Sequence, residues 1–128
     1  MNINGENSIQ SAYGRRRGTA IINTEKGIIV VAERNSKFLL PGGGTRPHEM
    51  QIESAIREVK EELGVYPVEV KFLFRYMAAK VFFMKVVGTP IPHNEISRIG
   101  YYNPSCNLEV SNNTKKILDI YYGSYMAP

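Results

Sequence analysis

Three glutamates stand close together in one short segment of the chain, which follows a run of glycines. Glu58, Glu61 and Glu62 belong to the segment Gln51 to Leu63, and the tetrapeptide Pro41 to Gly44 precedes it. Like charges four residues apart on a helix, here Glu58 and Glu62, destabilise that helix by roughly 0.2–0.5 kcal/mol. A hard divalent cation removes this cost, since Mg²⁺ prefers oxygen ligands and combines one or two carboxylates with substrate phosphates. The pattern therefore indicates a metal-dependent phosphate site.

The spacing of apolar residues predicts a helix from Gln51 to Leu63. The residues that form its apolar stripe recur at i, i+3, i+4, i+7 and i+11, and they are Ile52, Ala55, Ile56, Val59 and Leu63. At about 100° per residue, this stripe covers one face of the helix. Gly64 supplies a C-terminal stop. We expect the three glutamates to share a solvent-facing surface on the other side.

The remaining pattern predicts strands on both sides of this helix. A hairpin with its turn at Thr24 to Gly27 follows Gly18, and a short third strand, Lys37 to Leu40, ends at Pro41 before a glycine turn. Later elements are strands over 68–77 and 80–87 joined around Ala78 and Ala79, a strand from Ile96 to Tyr102, and a helix from about Ser111 to Tyr122 capped by Ser111 or Asn112. This order predicts an α/β or α+β layered domain in which a mixed sheet is covered by helices.

Composition agrees with one folded domain. The chain has 128 residues, of which 43% are hydrophobic and 22% charged, and its formal charge of +4 mildly favours anionic partners. The single cysteine, Cys106, excludes an internal disulfide. Because residues 1–13 lack a signal-peptide core and no apolar run suits a membrane helix, we expect a cytoplasmic protein. Residues 1–16 are interpreted as a loose N-terminal arm and residues 17–128 as a single domain.

The segment from Gly43 to Val65 resembles the Nudix box at every defined position. Gly43 is followed after five residues by Glu49, and after seven more by Arg57-Glu58-Val59. One residue later comes Glu61-Glu62, and one residue after that comes Gly64-Val65. Agreement at so many fixed positions is far more specific than a lone glycine motif. The chain is identified as similar to the Nudix hydrolases over about residues 17–122.

The resemblance implies a Nudix-type mixed sheet sandwiched between helices and a metal-dependent hydrolase of a nucleoside diphosphate linked to another group. It implies that Glu58, Glu61 and Glu62 bind Mg²⁺ or Mn²⁺ or activate water, and that the carbonyl of Gly43 is a further ligand. Arg57 and Glu49 would orient this cluster. Which glutamate is the base stays open.

Further candidates lie outside the box. Glu95 is either a catalytic glutamate from a loop or an exposed loop carboxylate. Arg15, Arg16 and Arg17 are either a solvated strand start or contacts to substrate phosphate, and Lys80 is a further phosphate candidate.

Other chemically capable residues have plainer explanations. His48 replaces the usual glycine before Glu49, and we interpret it as a turn residue at positive φ. His93 is interpreted as a surface-loop residue and Cys106 as a structural one. Four aromatic residues could stack on a nucleobase, although strand aromatics more often belong to the core: Tyr13, Phe74, Tyr76 and Phe83.

The sequence leaves three functions open. The first is a nucleotide pyrophosphohydrolase, the second a non-catalytic nucleotide-binding sensor, and the third a Nudix protein that processes RNA 5′ ends with a basic channel of Arg15 to Arg17, Lys80 and Lys85. Signatures for ADP-ribose, dinucleoside polyphosphates and coenzyme A are absent, so the substrate stays open. The expected partners are a small nucleotide or related diphosphate and, as one option, a second copy in a homodimer, without membrane or nucleic acid.

Overall fold

The first predicted hairpin is divided between two sheets. In a computed structural model, which describes residues 15–126, the chain leaves one sheet at Ile21 and enters the other at Asn23. The strands are β1 (Arg17–Ile21), β2 (Asn23–Thr24), β3 (Gly27–Glu33), β4 (Gly42–Gly44), β5 (Tyr66–Tyr76), β6 (Ala79–Val87) and β7 (Ile96–Tyr102), and the helices are α1 (Gln51–Leu63) and α2 (Asn112–Ser124).

The two sheets have different strand directions. One sheet has the order β4-β1-β6-β5, in which β1 and β6 are parallel and the other neighbours are antiparallel. The other sheet has the order β2-β3-β7 and is antiparallel. Mixed sheets with two helices confirm the predicted fold class.

Each helix covers its own apolar cluster. Ala55 and Val59 of α1 pack with Ala20 and Phe82 of the four-stranded sheet. On the opposite face, residues from α2 pack with the sheet residues that alternate with these, and this cluster includes Ile117, Leu118, Tyr121, Ile21 and Val81. Because neighbouring strand residues point to opposite faces, the sheet is buried on both sides. This confirms a sheet sandwiched between helices.

The glycine run is a strand and not the predicted turn. The segment Lys37 to Leu40 forms only isolated bridges, Val31 with Leu39 and Phe38 with Val110. The strand comes later, where Gly42 to Gly44 pair antiparallel with β1. The prediction followed from the low strand propensity of glycine. It was wrong because the lack of side chains lets β4 lie close beneath α1.

The other boundaries agree closely with the predictions. Helix α1 and strand β7 have the predicted limits, and the turn between β5 and β6 falls at Met77 and Ala78. Ser111 caps α2, since its side chain accepts a hydrogen bond from the backbone N–H of Thr114. Within the described residues, neither helix has the length and apolar character needed to cross a bilayer.

Candidate active site

Helix α1 is held at both ends, which fixes the direction of its glutamates. At the N-terminus, the Glu53 side chain accepts a hydrogen bond of 2.7 Å from the backbone N–H of Met50. At the C-terminus, Gly64 has φ 67°, a left-handed conformation that glycine adopts without steric cost, and donates to the carbonyl of Lys60. Between these caps, the apolar stripe of the helix packs against the four-stranded sheet.

Two glutamates of α1 lie against the glycine strand, Glu62 buried and Glu58 partly buried, and they are called the buried pair below. Glu62 is 7% exposed, and its Oε1 accepts a hydrogen bond of 3.3 Å from the N–H of Gly42. The carboxylate of Glu58 lies against Gly43, where a β-carbon would overlap it. The expectation of a solvent-facing surface was therefore wrong for Glu62, and Glu58 is only partly exposed, because β4 packs on the same side of the helix.

Burial of this pair makes its negative charge costly. Burial, followed by the nearby charge of Glu58, raises the pKa of Glu62 to about 8. Burial also raises the pKa of Glu58, although the adjacent Arg57 guanidinium opposes this. Two carboxyl groups with raised pKa values share either a proton or a cation. The pair is thus suited to bind positive charge.

Arg57 joins the helix to the loop in front of it. Its guanidinium donates to both carboxylate oxygens of Glu49, Nε to Oε2 at 2.8 Å and NH2 to Oε1 at 3.0 Å. It also donates to the carbonyl of Gly44 at 3.1 Å. The hydrogen bond from Arg57, followed by that from the Arg46 backbone, lowers the pKa of Glu49 to about 2. This forked contact fixes the loop between β4 and α1.

Glu61 contacts two arginines, one of which, Arg57, also lies 3.3 Å from Glu58. The carboxylate of Glu61 lies 3.2 Å from Arg57 and 3.5 Å from Arg46, and its side chain is 39% exposed. The three glutamates of the sequence motif therefore divide into a buried pair and one member on the outer side of α1.

Glu95 lies in the same cavity as the buried pair. This cavity has a volume of about 280 Å³, and its lining includes Arg17, Glu58, Glu62 and Glu95. The negative charge of Glu95 contributes to the raised pKa values of Glu58 and Glu62. The structure thus brings together a loop glutamate and two helix glutamates that are more than 30 residues apart in sequence.

The loop that carries Glu95 also caps the C-terminal end of α1. The side chain of Asn94 donates to the carbonyl of Glu61 at 3.2 Å, and the N–H of His93 donates to the carbonyl of Glu62 at 3.0 Å. The N–H of Ile91 donates to the carbonyl of Leu63 at 2.9 Å. Carbonyls that the helix leaves without partners are satisfied in this way. His93 is exposed, as predicted for a surface loop.

Arg17 lies between this cavity and a larger one. Burial lowers the pKa of Arg17, although the charges of Glu62 and Glu58 oppose this. The larger cavity has a volume of about 440 Å³, and the two share Arg17, Leu39 and Leu40. Its other lining residues include Arg15, Tyr76, Met77, Ser111, Asn113 and Thr114. We call these two adjoining cavities together the cleft: the smaller one is its acidic end, the wider one is more apolar, and Arg17 belongs to the lining of both.

Several sequence candidates lie elsewhere. Lys80 is not among the described residues that line these two cavities, and its ammonium lies 5.9 Å from the Phe72 ring centre. Phe74 stacks on Tyr125, and Phe83 packs against the α2 cluster. Tyr13 falls outside the described residues.

The plainer interpretations of three other residues agree with the structure. Arg16 points to the Gln51 side chain, at 3.5 Å. His48 has φ 67°, which confirms its predicted positive φ. Cys106 is partly buried against the α2 cluster, as expected of a structural residue.

Two positioning residues were missed by the sequence interpretation. Gln51 is 3% exposed, and its side-chain amide donates to the carbonyls of Arg17 and Ala78 at 3.0 and 2.9 Å. Its position four residues before Ala55, on the apolar side of the helix, is the feature of the sequence that could have indicated its burial. Nothing near Asn94 in the sequence indicated that it would cap α1.

The buried pair fits a hard divalent cation. Across the described part of the chain, no group of three or more histidine, cysteine, aspartate and glutamate side chains is arranged to hold a metal ion. Glu58 and Glu62 by themselves offer two carboxylates. Mg²⁺ commonly uses one or two carboxylates together with water and phosphate oxygens. An additional carbonyl ligand from the adjacent strand is compatible with this chemistry.

Comparison with known proteins agrees with the resemblance of the segment from Gly43 to Val65 to the Nudix box. The family model described as NUDIX domain matches residues 12–115. A nudix hydrolase family member from Chromobacterium violaceum is 32% identical, with a TM-score of 0.79 over 85% of this chain and 77% of that one.

Two further solved structures share the fold at lower identity. MutT NUDIX hydrolase from Burkholderia pseudomallei is 20% identical, with a TM-score of 0.71 over 82% of this chain and 95% of that one. An ADP-ribose pyrophosphatase from Streptococcus suis is 22% identical, with a TM-score of 0.58 over 77% and 80% of the two chains. A comparison with curated proteins gives no match.

Proposed function

The chain belongs to the NUDIX domain family and is a Nudix hydrolase, and from this premise we propose that it cleaves the pyrophosphate bond of a nucleoside diphosphate linked to another group. The observation that carries this proposal is the buried pair Glu58 and Glu62 at one end of a cleft whose middle is Arg17. A diphosphate is an anion, so it can be bound both by a cation that the carboxylates hold and directly by an arginine.

Glu58 and Glu62 would hold Mg²⁺ or Mn²⁺, together with the carbonyl of Gly43 and with Glu61 once its arginine contacts are exchanged. When bound, such an ion would neutralise the charge that develops on the phosphate oxygens. Arg57 and Glu49 act as positioning residues, because they fix the loop and strand beside the pair and do not face the cleft cavity.

Glu95 is our candidate for the general base. The oxygen of a water molecule attacks phosphorus, the bond from phosphorus to the bridging oxygen breaks, and a proton of the water passes to the Glu95 carboxylate. Glu58 and Glu62 are committed to the cation in this scheme, whereas Glu95 is exposed at the mouth of the same cavity. The leaving phosphate departs as an anion beside Arg17.

The organic part of the substrate would occupy the larger cavity. Its volume of about 440 Å³ lies in the range of small-molecule sites, and Tyr76 offers an aromatic surface for a base. Arg15 at its edge is a second phosphate contact. The fold is shared with proteins named ADP-ribose pyrophosphatase and UDP-X diphosphatase, at 22% and 18% identity, which fits this substrate class.

A substrate panel with Mg²⁺ and Mn²⁺ tests the function. The panel contains nucleoside triphosphates, nucleoside diphosphate sugars, ADP-ribose and dinucleoside polyphosphates, and release of phosphate or pyrophosphate or of a nucleoside monophosphate is measured. We expect turnover of at least one of them. Thermal stabilisation by a nucleotide without product, in both metals and at alkaline pH, would support the sensor alternative instead.

A pair of matched variants tests the site. Glu62→Gln keeps the size of the side chain and removes its charge, and we expect turnover to fall about a thousandfold with the fold intact. Glu25→Gln makes the same change in the exposed hairpin turn and should leave turnover unchanged. Full activity of Glu62→Gln would refute the proposed role of the pair.

A further inference from the structure

Strand β5 has an open edge. It is the last strand of the order β4-β1-β6-β5, so it pairs with β6 on one side, and within residues 15–126 no strand pairs on its other side. An exposed strand edge presents unpaired N–H and C=O groups to any other strand. The active-site cleft lies near β1 and β4, towards the opposite edge of the sheet.

The open part of the edge is short and has clear limits. On one side Pro67 has no N–H to donate. On the other side Tyr125 covers the strand, since its hydroxyl donates to the carbonyl of Leu73 at 2.9 Å and its ring stacks on Phe74 at 5.6 Å. The ladder to β6 is irregular at Val68 and Leu73, and regular between them. The segment available for pairing therefore runs from Val68, at the first irregularity, to Phe72, and its part from Glu69 to Phe72 is regular.

This segment is complementary to itself. If a second copy pairs antiparallel about Val70, then Glu69 lies opposite Lys71 of the second copy, and Lys71 lies opposite its Glu69. At the ends, Val68 lies opposite Phe72 of the second copy, and these two residues are 63% and 52% exposed in the single chain. Opposite charges and apolar residues placed directly across two strands stabilise their pairing.

We propose that two copies of the chain associate through antiparallel pairing of Val68 to Phe72, which joins their four-stranded sheets into one. The charge pattern selects a second copy as the occupant, because the same five residues supply both halves of each pair. Each Glu69 also lies 3.7 Å from Lys85 of its own chain, an exposed contact of little strength that leaves the carboxylate accessible. This association does not depend on the proposed catalytic function.

Sedimentation equilibrium of the full chain at a series of concentrations tests the association. We expect a monomer–dimer equilibrium that Lys71→Glu weakens by about tenfold or more, because two carboxylates then face each other at each charged position of the paired strands. Glu69→Lys should weaken it equally. The double variant Glu69→Lys/Lys71→Glu should restore it, since each pair is then reversed and remains opposite in charge.

Mixing the two single variants provides a sharper test. The chain with Lys71→Glu carries two acidic residues and the chain with Glu69→Lys carries two basic ones, so a heterodimer should form where each alone is monomeric. Lys37→Glu, an exposed change outside this strand, is the control and should leave the equilibrium unchanged. The proposal would be overturned if the chain stays monomeric at every concentration, or if neither Lys71→Glu nor Glu69→Lys weakens the dimer.

Hydrogen exchange distinguishes other occupants of the edge. In the proposed dimer, protection of the outward-facing amides between Val68 and Phe72, which are not bonded to β6, increases with protein concentration. Protection that is already complete in the dilute monomer would show that another part of the same chain covers the edge, and it would also overturn the proposal.

Discussion

The carboxylate of Glu58 occupies the space that a side chain at Gly43 would fill. Gly43→Ala should therefore displace this carboxylate and weaken Mg²⁺ or Mn²⁺ binding, with turnover reduced about 10- to 100-fold. Metal titration by calorimetry and initial rates would measure both effects.

Gly44→Ala is the matched control for metal affinity, because its new methyl group meets the guanidinium of Arg15 and not a carboxylate. Equal losses of metal affinity in the two alanine variants would contradict a specific role for the contact between Gly43 and Glu58.

The stability of the metal-free protein should depend on the protonation of Glu62. Its pKa is about 8 in the folded state against an ordinary value of 4.5, with Glu58, Arg17 and Glu95 as its charged neighbours. Because the folded state holds the proton more tightly than the unfolded chain, this contribution is fully present below pH 4.5 and is lost as the pH rises through about 8.

Urea denaturation across this pH range, in the presence of a chelator, measures that loss. Glu62→Gln should show a flatter profile and exceed the unsubstituted protein in stability at alkaline pH. Addition of Mg²⁺ should stabilise the unsubstituted protein most at alkaline pH, where it replaces the lost proton. Parallel profiles for the two proteins would refute the raised pKa.

Substitution of Arg57 should act through position and not through contact with substrate. Arg57→Lys keeps the charge but cannot make the forked contact with Glu49, so the loop between β4 and α1 loosens. We expect metal affinity and turnover to fall about 10- to 100-fold. Glu49→Gln should act similarly, and the double variant should be little worse than either one.

That non-additivity is measured by a double-mutant cycle on both turnover and the metal dissociation constant. Additive losses would mean that Arg57 and Glu49 act independently, contrary to the geometry. Lys115→Arg, at an exposed ion pair on α2, is a suitable control for a change of cation elsewhere.

Asn94 contributes both a hydrogen bond and an unusual backbone conformation. Its φ is 56°, and its side chain donates to the carbonyl of Glu61. Asn94→Gly keeps the conformation and loses the bond, which should cost about 0.5–1.5 kcal/mol, whereas Asn94→Ala adds roughly 1–2 kcal/mol for the left-handed conformation. Chemical denaturation measures this order of stabilities.

Both Asn94 variants should also slow turnover through Glu95, the next residue. In a Glu95→Gln background the further effect of Asn94→Gly on turnover should disappear, while its effect on stability remains. Asn35→Gly, at another asparagine with positive φ, controls for the change of residue type. A turnover loss that persists without Glu95 would show that Asn94 acts by another route.

The elements with a strong local pattern could be predicted from the sequence. The period of the stripe from Ile52 to Leu63, followed by Gly64, sets both ends of α1, and Ser111 marks the start of α2. The motif likewise indicated the glutamates of the candidate site. It did not indicate that Glu61 would contact arginines on the outer side of α1 while Glu58 and Glu62 lie against β4.

Features produced by contacts between distant segments had no such pattern. Strand β4 consists of glycines, which local propensity assigns to turns, and it is a strand only because β1 pairs with it. The cap between Asn94 and Glu61 joins residues 33 apart, so neither sequence neighbourhood shows it. Gln51 carries a polar side chain at a position whose burial depends on β1 and on the turn between β5 and β6.

The position of Arg17, between the acidic and the wider end of the cleft, gives the site a direction. A molecule with a charged bridge and one bulky end fits such a cleft in a single orientation, so one of its two phosphorus atoms always faces the carboxylates. Turnover in ¹⁸O-labelled water should therefore place the heavy oxygen on only one product. The asymmetry of the cleft would thus determine the regiochemistry of cleavage, independently of how fast the reaction proceeds.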